Sequence, residues 1–227
     1  MLIVFGVIAF QPVANAGYIQ LSFNDFATQF FVDDQSALDL NPAVGAVTFV
    51  GQIGVWNLNV STGITYPFSG SSPSRPYLDL NTINSSANAY IDPNNPSLGY
   101  ELASLLIGLS AVDFLSPGPN AQLSIGGTTA GFVNFDSRFD TGNGFFGGNL
   151  LSALTADTSP FALTDVGTLT FPDGFAPYSL TIEALILHEG PGTTSFDAEI
   201  TVPEPGSLLL LGFGLLGLLG IGRRISG

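Results

Sequence analysis

Apolar and polar residues alternate with a period of two along much of this chain. In Ala46 to Val60, Trp56, Leu58 and Val60 alternate with Asn57 and Asn59. An apolar run precedes them, joined through Gly51-Gln52, and the pair reads as a hairpin with Trp56 in the core. From Pro76 to Asn84, Leu78, Leu80 and Thr82 share one face, and Tyr77, Asp79 and Asn81 the other. Ala121 to Asp136 reads as apolar stretch, Gly-Gly turn, apolar stretch. "VGTLTF" and "YSLTIEALILHEG" follow, then "TTSFDAEITV", where Phe196, Ala198, Ile200 and Val202 alternate. A Pro-Gly turn in "EGPGTT" joins the last two. Leu98 to Phe114 has the Leu and Ala content of a helix and the length of a buried strand; its surroundings favour strand.

About ten short strands separated by turn signals predict an all-β fold. The expectation is one antiparallel β-sandwich or jelly roll over residues 17–202, followed by a C-terminal hydrophobic helix. No internal repeat points to a solenoid. "YPFSGSSPSRP" (66–76) and "FDTGNGFFGGN" (139–149) read as loops within the domain.

The two ends are different in kind. Leu2 to Phe10 is apolar, and Ala14-Asn15-Ala16 supplies the small residues of a cleavage site. Residues 1–16 therefore read as a signal peptide whose A-x-A site, Ala14 and Ala16, is cut by signal peptidase so that the mature chain starts near Gly17. At the other end, Ser207 to Ile221 carries eight Leu, four Gly and no charge. As a helix it spans about 22 Å against a bilayer core of about 30 Å, a short span. Arg223 and Arg224 flank it on the side expected to stay cytoplasmic, which leaves the body outside.

Charge and composition narrow the chemistry. Between Gly17 and Val202 stand seventeen acids and two bases, Arg75 and Arg138. That balance repels nucleic acid and favours cations, and it also serves solubility alone. Cys is absent, which excludes a disulfide framework and a thiol nucleophile. The single His, His188, has no G-x-S-x-G elbow beside it and reads as an exposed residue at a strand end. One His and no Cys cannot supply a zinc site. "GNGFFG" (142–147) matches a phosphate-loop pattern, but so does "GFGLLG" in the tail; neither opens a βαβ unit, and both are set aside. No catalytic residue and no bound cofactor are expected.

The densest oxygen clusters are Asp33-Asp34 and the group Asp136, Asp140 and Asn143. The second is a calcium candidate; the plainer expectation is a solvated acidic loop with Arg138 paired to a neighbouring Asp. Tyr77, Tyr90 and Phe145-Phe146 are candidates for stacking on sugar rings.

The order Val202-Pro203-Glu204-Pro205, then the Leu/Gly span, then Arg223-Arg224 resembles the PEP-CTERM sorting signal of Gram-negative bacteria that make extracellular polysaccharide. The resemblance implies recognition and cleavage by an exosortase, an integral-membrane enzyme. The body would be held briefly at the inner membrane and then passed to the cell surface or matrix. An LPxTG site is absent, and a GPI signal fits less well. "LDLNPAVGAVTFVGQIGVWNLNVSTGITYP", "GGTTAG" and the closing "YSLTIEALILHEGPGTTSFDAEITVPEP" also resemble a recurrent group of PEP-CTERM proteins of unknown function. The expected role is structural or adhesive, with extracellular polysaccharide as a possible partner and no nucleic acid. The alternatives are a carbohydrate- or calcium-binding module, or a glycan hydrolase using paired carboxylates.

Overall fold

A computed structural model describes residues 19–87, 102–116, 118–172, 174 and 176–203. The signal peptide with Ala14 and Ala16, Tyr90, Glu204, Pro205, the hydrophobic tail helix, Arg223 and Arg224 lie outside the described residues.

The described residues form twelve strands and no helix. They are β1 (Ile19–Asn24), β2 (Gln29–Asp33), β3 (Ala46–Ile53), β4 (Trp56–Ile64), β5 (Tyr77–Ala87) and β6 (Ala103–Phe114). Then come β7 (Asn120–Thr129), β8 (Phe132–Asp140), β9 (Asn149–Ala156), β10 (Phe161–Thr168), β11 (Tyr178–His188) and β12 (Gly192–Thr201). Two six-stranded sheets result, ordered β2-β1-β6-β11-β8-β9 and β10-β7-β12-β5-β4-β3. Each strand pair is antiparallel. The fold is the expected antiparallel sandwich, and Leu98 to Phe114 contributes strand β6.

The core lies between the sheets and follows the alternation. Leu105, Ile107 and Leu109 of β6 and Leu180, Ile182 and Ile186 of β11 point inward from one sheet. Leu78 and Leu80 of β5 and Phe196, Ala198 and Ile200 of β12 point inward from the other. Phe135 meets Phe196 edge-on across the gap, with centroids 4.9 Å apart. Trp56 is fully buried, as expected, and its Nε1 donates to the Ser104 carbonyl at 3.0 Å. That bond ties β4 of one sheet to β6 of the other.

Two turns differ from expectation. The β3–β4 turn is at Gly54-Val55, with Gly54 at φ +53°, and Gly51-Gln52 lies within β3. A bulge between Phe49 and Gly51 takes up the register, and a Cβ on Gly51 would stand 2.6 Å from the Phe49 ring. This glycine makes room for a ring within a strand. Gly126-Gly127 likewise lies inside β7; a Cβ on Gly127 would stand 2.8 Å from Phe196 Cα and 3.0 Å from the Phe161 ring. The chain turns at Ala130-Gly131 instead, and β7 and β8 belong to different sheets, so they form no hairpin. The "EGPGTT" turn also crosses between sheets, from β11 to β12.

Candidate functional site

The side chains nominated from sequence are dispersed and already engaged. Asp136 and Asp140 lie on one face of β8, about 13 Å apart at about 3.3 Å per residue. Asp136 accepts from Arg138 at 3.4 Å, and Arg138 Nε donates to Glu183 at 2.6 Å. Asp140 instead accepts from the backbone of Gly142 at 2.8 Å and Gly144 at 3.0 Å. Asn143 exchanges two bonds with Asp113, at 2.8 and 2.7 Å. The three calcium candidates therefore serve three separate contacts. Asp33 accepts from Gln20, and Asp34 accepts from the Gly45 backbone at 2.8 Å. Among the described residues, no group of three or more His, Cys, Asp or Glu is arranged to hold a metal ion.

His188 is buried, at 1% exposure, and not an exposed turn residue. It is the last residue of β11, on that strand's inward parity. Its ring packs 4.9 Å from Trp56, and Nε2 lies 2.8 Å from Thr194 Oγ1. Thr194 Oγ1 in turn lies 2.8 Å from Thr129 Oγ1. Burial holds the imidazole pKa below its ordinary value. The Gly192 backbone beside Nδ1 opposes that shift without closing a well-formed hydrogen bond.

Phe145 and Phe146 belong to a strap, residues 141–148, that crosses the outer face of the first sheet. Phe146 sits at φ +53°, a backbone region costly for a side chain of this size, and Asn143 at φ +57°, where Asn is better tolerated. The Phe146 ring compensates by lying over Gly108 of β6, where a Cβ would stand 2.9 Å from it, and 5.8 Å from the Phe31 ring. Phe146 N donates to Ser110 Oγ at 3.2 Å, and Ser179 Oγ donates to the Gly144 carbonyl at 2.6 Å. Ser110, Ser179 and Thr181 are buried beneath it. The glycine-rich loop is thus a roof over its own sheet.

The second sheet has an open outer face, and functional groups converge there. Cross-strand pairing sets them in rows. One row runs Thr62, Asn81, Asp197, Gly126, Ala162; the next runs Ile64, Asp79, Glu199, Ser124, Thr164. A third contains Tyr77, Thr201, Gln122 and Val166. Asp79 thus stands directly opposite Glu199 and diagonal to Asp197, within side-chain reach. The Tyr77 hydroxyl lies 3.3 Å from both Asp79 Oδ2 and Glu199 Oε2, with one proton to donate.

Burial and crowding make Asp79 hold its proton more tightly than an ordinary carboxyl does. Burial first, then a hydrogen bond and charge repulsion from Asp197, raises the Asp79 pKa to about 7. Tyr77's bond works against that rise, and Glu199 adds to it. With both carboxyls ionised, the buried Asp79 Oδ1 has no donor; protonated, it donates to Asp197. The Tyr77 hydroxyl is itself pushed well above its ordinary value, by burial and then by the two acids.

Two concavities flank the cluster. Beside Asp197 and Glu199, the small residues Gly126 and Ala162 leave a shallow groove of about 260 Å³, with Ser124 and Thr164 on its walls. At the Tyr77 end is a cavity of about 320 Å³ between the Ser69–Ser71 turn, Arg75, and the end of the body at Val202 and Pro203. Sequence reading identifies Tyr77 and places Asp79 on its face, but it misses Asp197, Glu199 and Arg75. The alternation of "TTSFDAEITV" does put Asp197 and Glu199 opposite Phe196. What it lacks is the pairing of β12 with β5, whose contacting residues Tyr77 and Glu199 are 122 positions apart.

Residues 201–224 match the PEP-CTERM protein-sorting motif. The chain therefore ends in a signal that directs an exported protein to an exosortase. No curated protein matches the chain. Among solved structures it is similar to the PA14 sugar-binding domain from an RTX adhesin, at 12% identity and TM-score 0.33, over 82% of this chain and 89% of that one. It is also similar to the PA14 domain of the MpAFP antifreeze protein, at 9% identity and TM-score 0.34, over 82% of each chain. A third likeness is to CBM4, at 13% identity and TM-score 0.30, over 75% of this chain and 94% of that one. Likenesses this distant carry no functional argument.

Proposed function

We propose that the sandwich is a non-catalytic domain of an exported protein, released by exosortase processing and placed at the cell surface or in an exopolysaccharide matrix, with a structural or adhesive role. The observation that supports this reading is the position of the sorting motif, which begins at Thr201, the last residue of β12. Folded body and signal adjoin without a linker. Replacing Pro203-Glu204-Pro205 with alanines is expected to leave a full-length, membrane-retained form. Mass spectrometry of the mature C-terminus, with fractionation, reads the outcome, and normal release sinks the sorting reading.

A second reading is favoured by the open face of the second sheet: a polysaccharide-binding surface. Tyr77 supplies a ring and a hydroxyl, and Asp79, Asn81, Asp197 and Glu199 supply polar groups at sheet spacing beside a groove. Calorimetry of the processed protein is the test, with matrix polysaccharide and Ca²⁺ as separate titrants. Binding of the polysaccharide that disappears in Glu199→Ala supports the face; flat traces remove it.

A further inference from the structure

A third cavity lies at the end of the sandwich where β7–β8 and β11–β12 cross between the sheets. It holds about 540 Å³, more than either concavity beside the acidic cluster. Its apolar wall comes from three neighbouring strands. Leu187 of β11 pairs with Phe132 of β8, and on the other side Leu102 stands just ahead of β6. Leu187 and Phe132 are half-buried, and Leu102 is exposed. From Thr181, beneath the strap, to Leu187 is about 20 Å of strand, so the strap does not reach this end.

The other wall is backbone, and it is fixed. Ala130 N donates to the Thr193 carbonyl at 3.1 Å, which ties one crossing to the other. Gly131 N donates to Thr129 Oγ1 at 3.1 Å. A Cβ on Gly131 would stand 2.1 Å from the Leu187 carbonyl oxygen, so glycine is what lets this turn lie against the end of β11. The cavity is preformed, and a ligand entering it has little of this wall to order. Two carboxylates complete the lining: Asp157, directly after β9, and Glu189, directly after β11. Both are exposed, and among the described residues no hydrogen bond or ion pair engages either one. The two bases of the body stand elsewhere. Arg138 is paired with Glu183 and Asp136, and Arg75 lines the cavity at Tyr77.

An apolar wall beside two uncompensated carboxylates selects a cation on an apolar stem. The stem packs on Leu102, Leu187 and Phe132, while the charged head reaches the carboxylates and the Phe132 ring. A sugar ring fits less well, because its hydroxyls would meet apolar side chains and few polar partners. The chain contains no Lys, so a second copy offers no ammonium, and its net charge of −14 draws a basic partner toward it. We propose that this cavity docks a basic segment of a partner protein, with one Lys stem in the cavity and its ammonium at Asp157 and Glu189. The site stands apart from the sorting signal and from the open face of the second sheet.

Tetralysine is the probe, titrated into the full-length protein in nanodiscs of neutral phosphatidylcholine. It is expected to shift the methyl resonances of Leu102 and Leu187. Asp157→Asn with Glu189→Gln should weaken binding about tenfold, the scale of two partly exposed ion pairs. The control pair Asp165→Asn with Asp197→Asn removes the same charge from exposed positions on the second sheet, and should change affinity less than about twofold. Butylammonium should compete with tetralysine. Methylammonium, which has the charge and no stem, should not compete at the same concentration. Equal weakening by the two pairs, or equal competition by the two amines, reduces the binding to general charge attraction and overturns the proposal. Unmoved Leu102 and Leu187 methyls overturn it as well. Glucosamine oligomers that shift these methyls where tetralysine does not overturn it in favour of a sugar site.

Discussion

The two outer faces of the sandwich solve the same problem in opposite ways. Each carries carboxylates on a sheet in a protein of net charge −14. On the first sheet, Arg138 sits between Asp136 and Glu183, and the strap 141–148 covers the neighbouring hydroxyls. On the second, Asp79, Asp197 and Glu199 crowd together, and burial and the neighbouring Asp197 raise the Asp79 pKa to about 7. The first face is finished by its own chain. The second leaves Asp197 exposed and the crowded acids uncovered beside a groove. Function is therefore sought on the second face, although sequence clusters on the first attract attention sooner.

Removing the roof should break the comparison most severely. Phe146→Ala strips the ring from Gly108 and Phe31 while keeping a strained backbone, and should destabilise by about 2 kcal/mol in urea melts. Next, Arg138→Gln leaves Asp136 and Glu183 facing each other without a cation. With its side chain 31% exposed, the expected loss is about 1 kcal/mol, shrinking at high salt. The same change gives the first face the crowding of the second.

Asp79→Asn acts in the opposite direction. Its folded pKa of about 7 lies above the ordinary 3.8, so the folded state holds the proton longer than the unfolded one. Its contribution to stability is present at low pH and is lost as pH rises from about 4 through about 7. His188 has the opposite sign. Its folded pKa is depressed, so its contribution is lost as pH falls below about 6.5. The two slopes partly cancel in the wild type. In Asp79→Asn, melting temperature should rise more steeply between pH 4 and 6.5 and then level off, ending above wild type at pH 8. An unchanged profile removes the shared proton from the account. The smallest effects sharpen the cluster itself. Followed by carboxyl ¹³C shifts, Asp79 should titrate lower in Asp197→Asn and higher in Tyr77→Phe, because Asp197 raises and Tyr77 lowers its pKa.

Much of the fold is local information. The alternations at Leu78–Thr82 and Phe196–Val202 hold because side-chain direction in a strand depends only on parity. Trp56 is core for the same reason. Glycines misled because they mark two different events. Gly54 serves a turn at positive φ, whereas Gly51 and Gly127 serve close packing within strands, and composition does not distinguish these uses. Which sheet a strand joins is not written in its alternation, so the sequence does not reveal that the β7–β8 and β11–β12 connections cross between sheets. The acidic cluster is hidden for the same reason: its parity is visible, but its assembly depends on long-range register. His188 misled because a polar residue next to a turn signal is usually exposed, and here inward parity and Thr194 take it inside.

β11 lies between β6 and β8 in one sheet, and β12 between β7 and β5 in the other. The last two strands of the body in sequence are thus interior strands of both sheets. A chain lacking them has each sheet in two unjoined parts, however much of it has been synthesised. Folding of the sandwich closes only with the residues just ahead of Pro203, through contacts of high sequence separation. The sorting signal therefore emerges directly behind the strands that complete the fold, and a full-length tail reports that every strand needed for closure has been made.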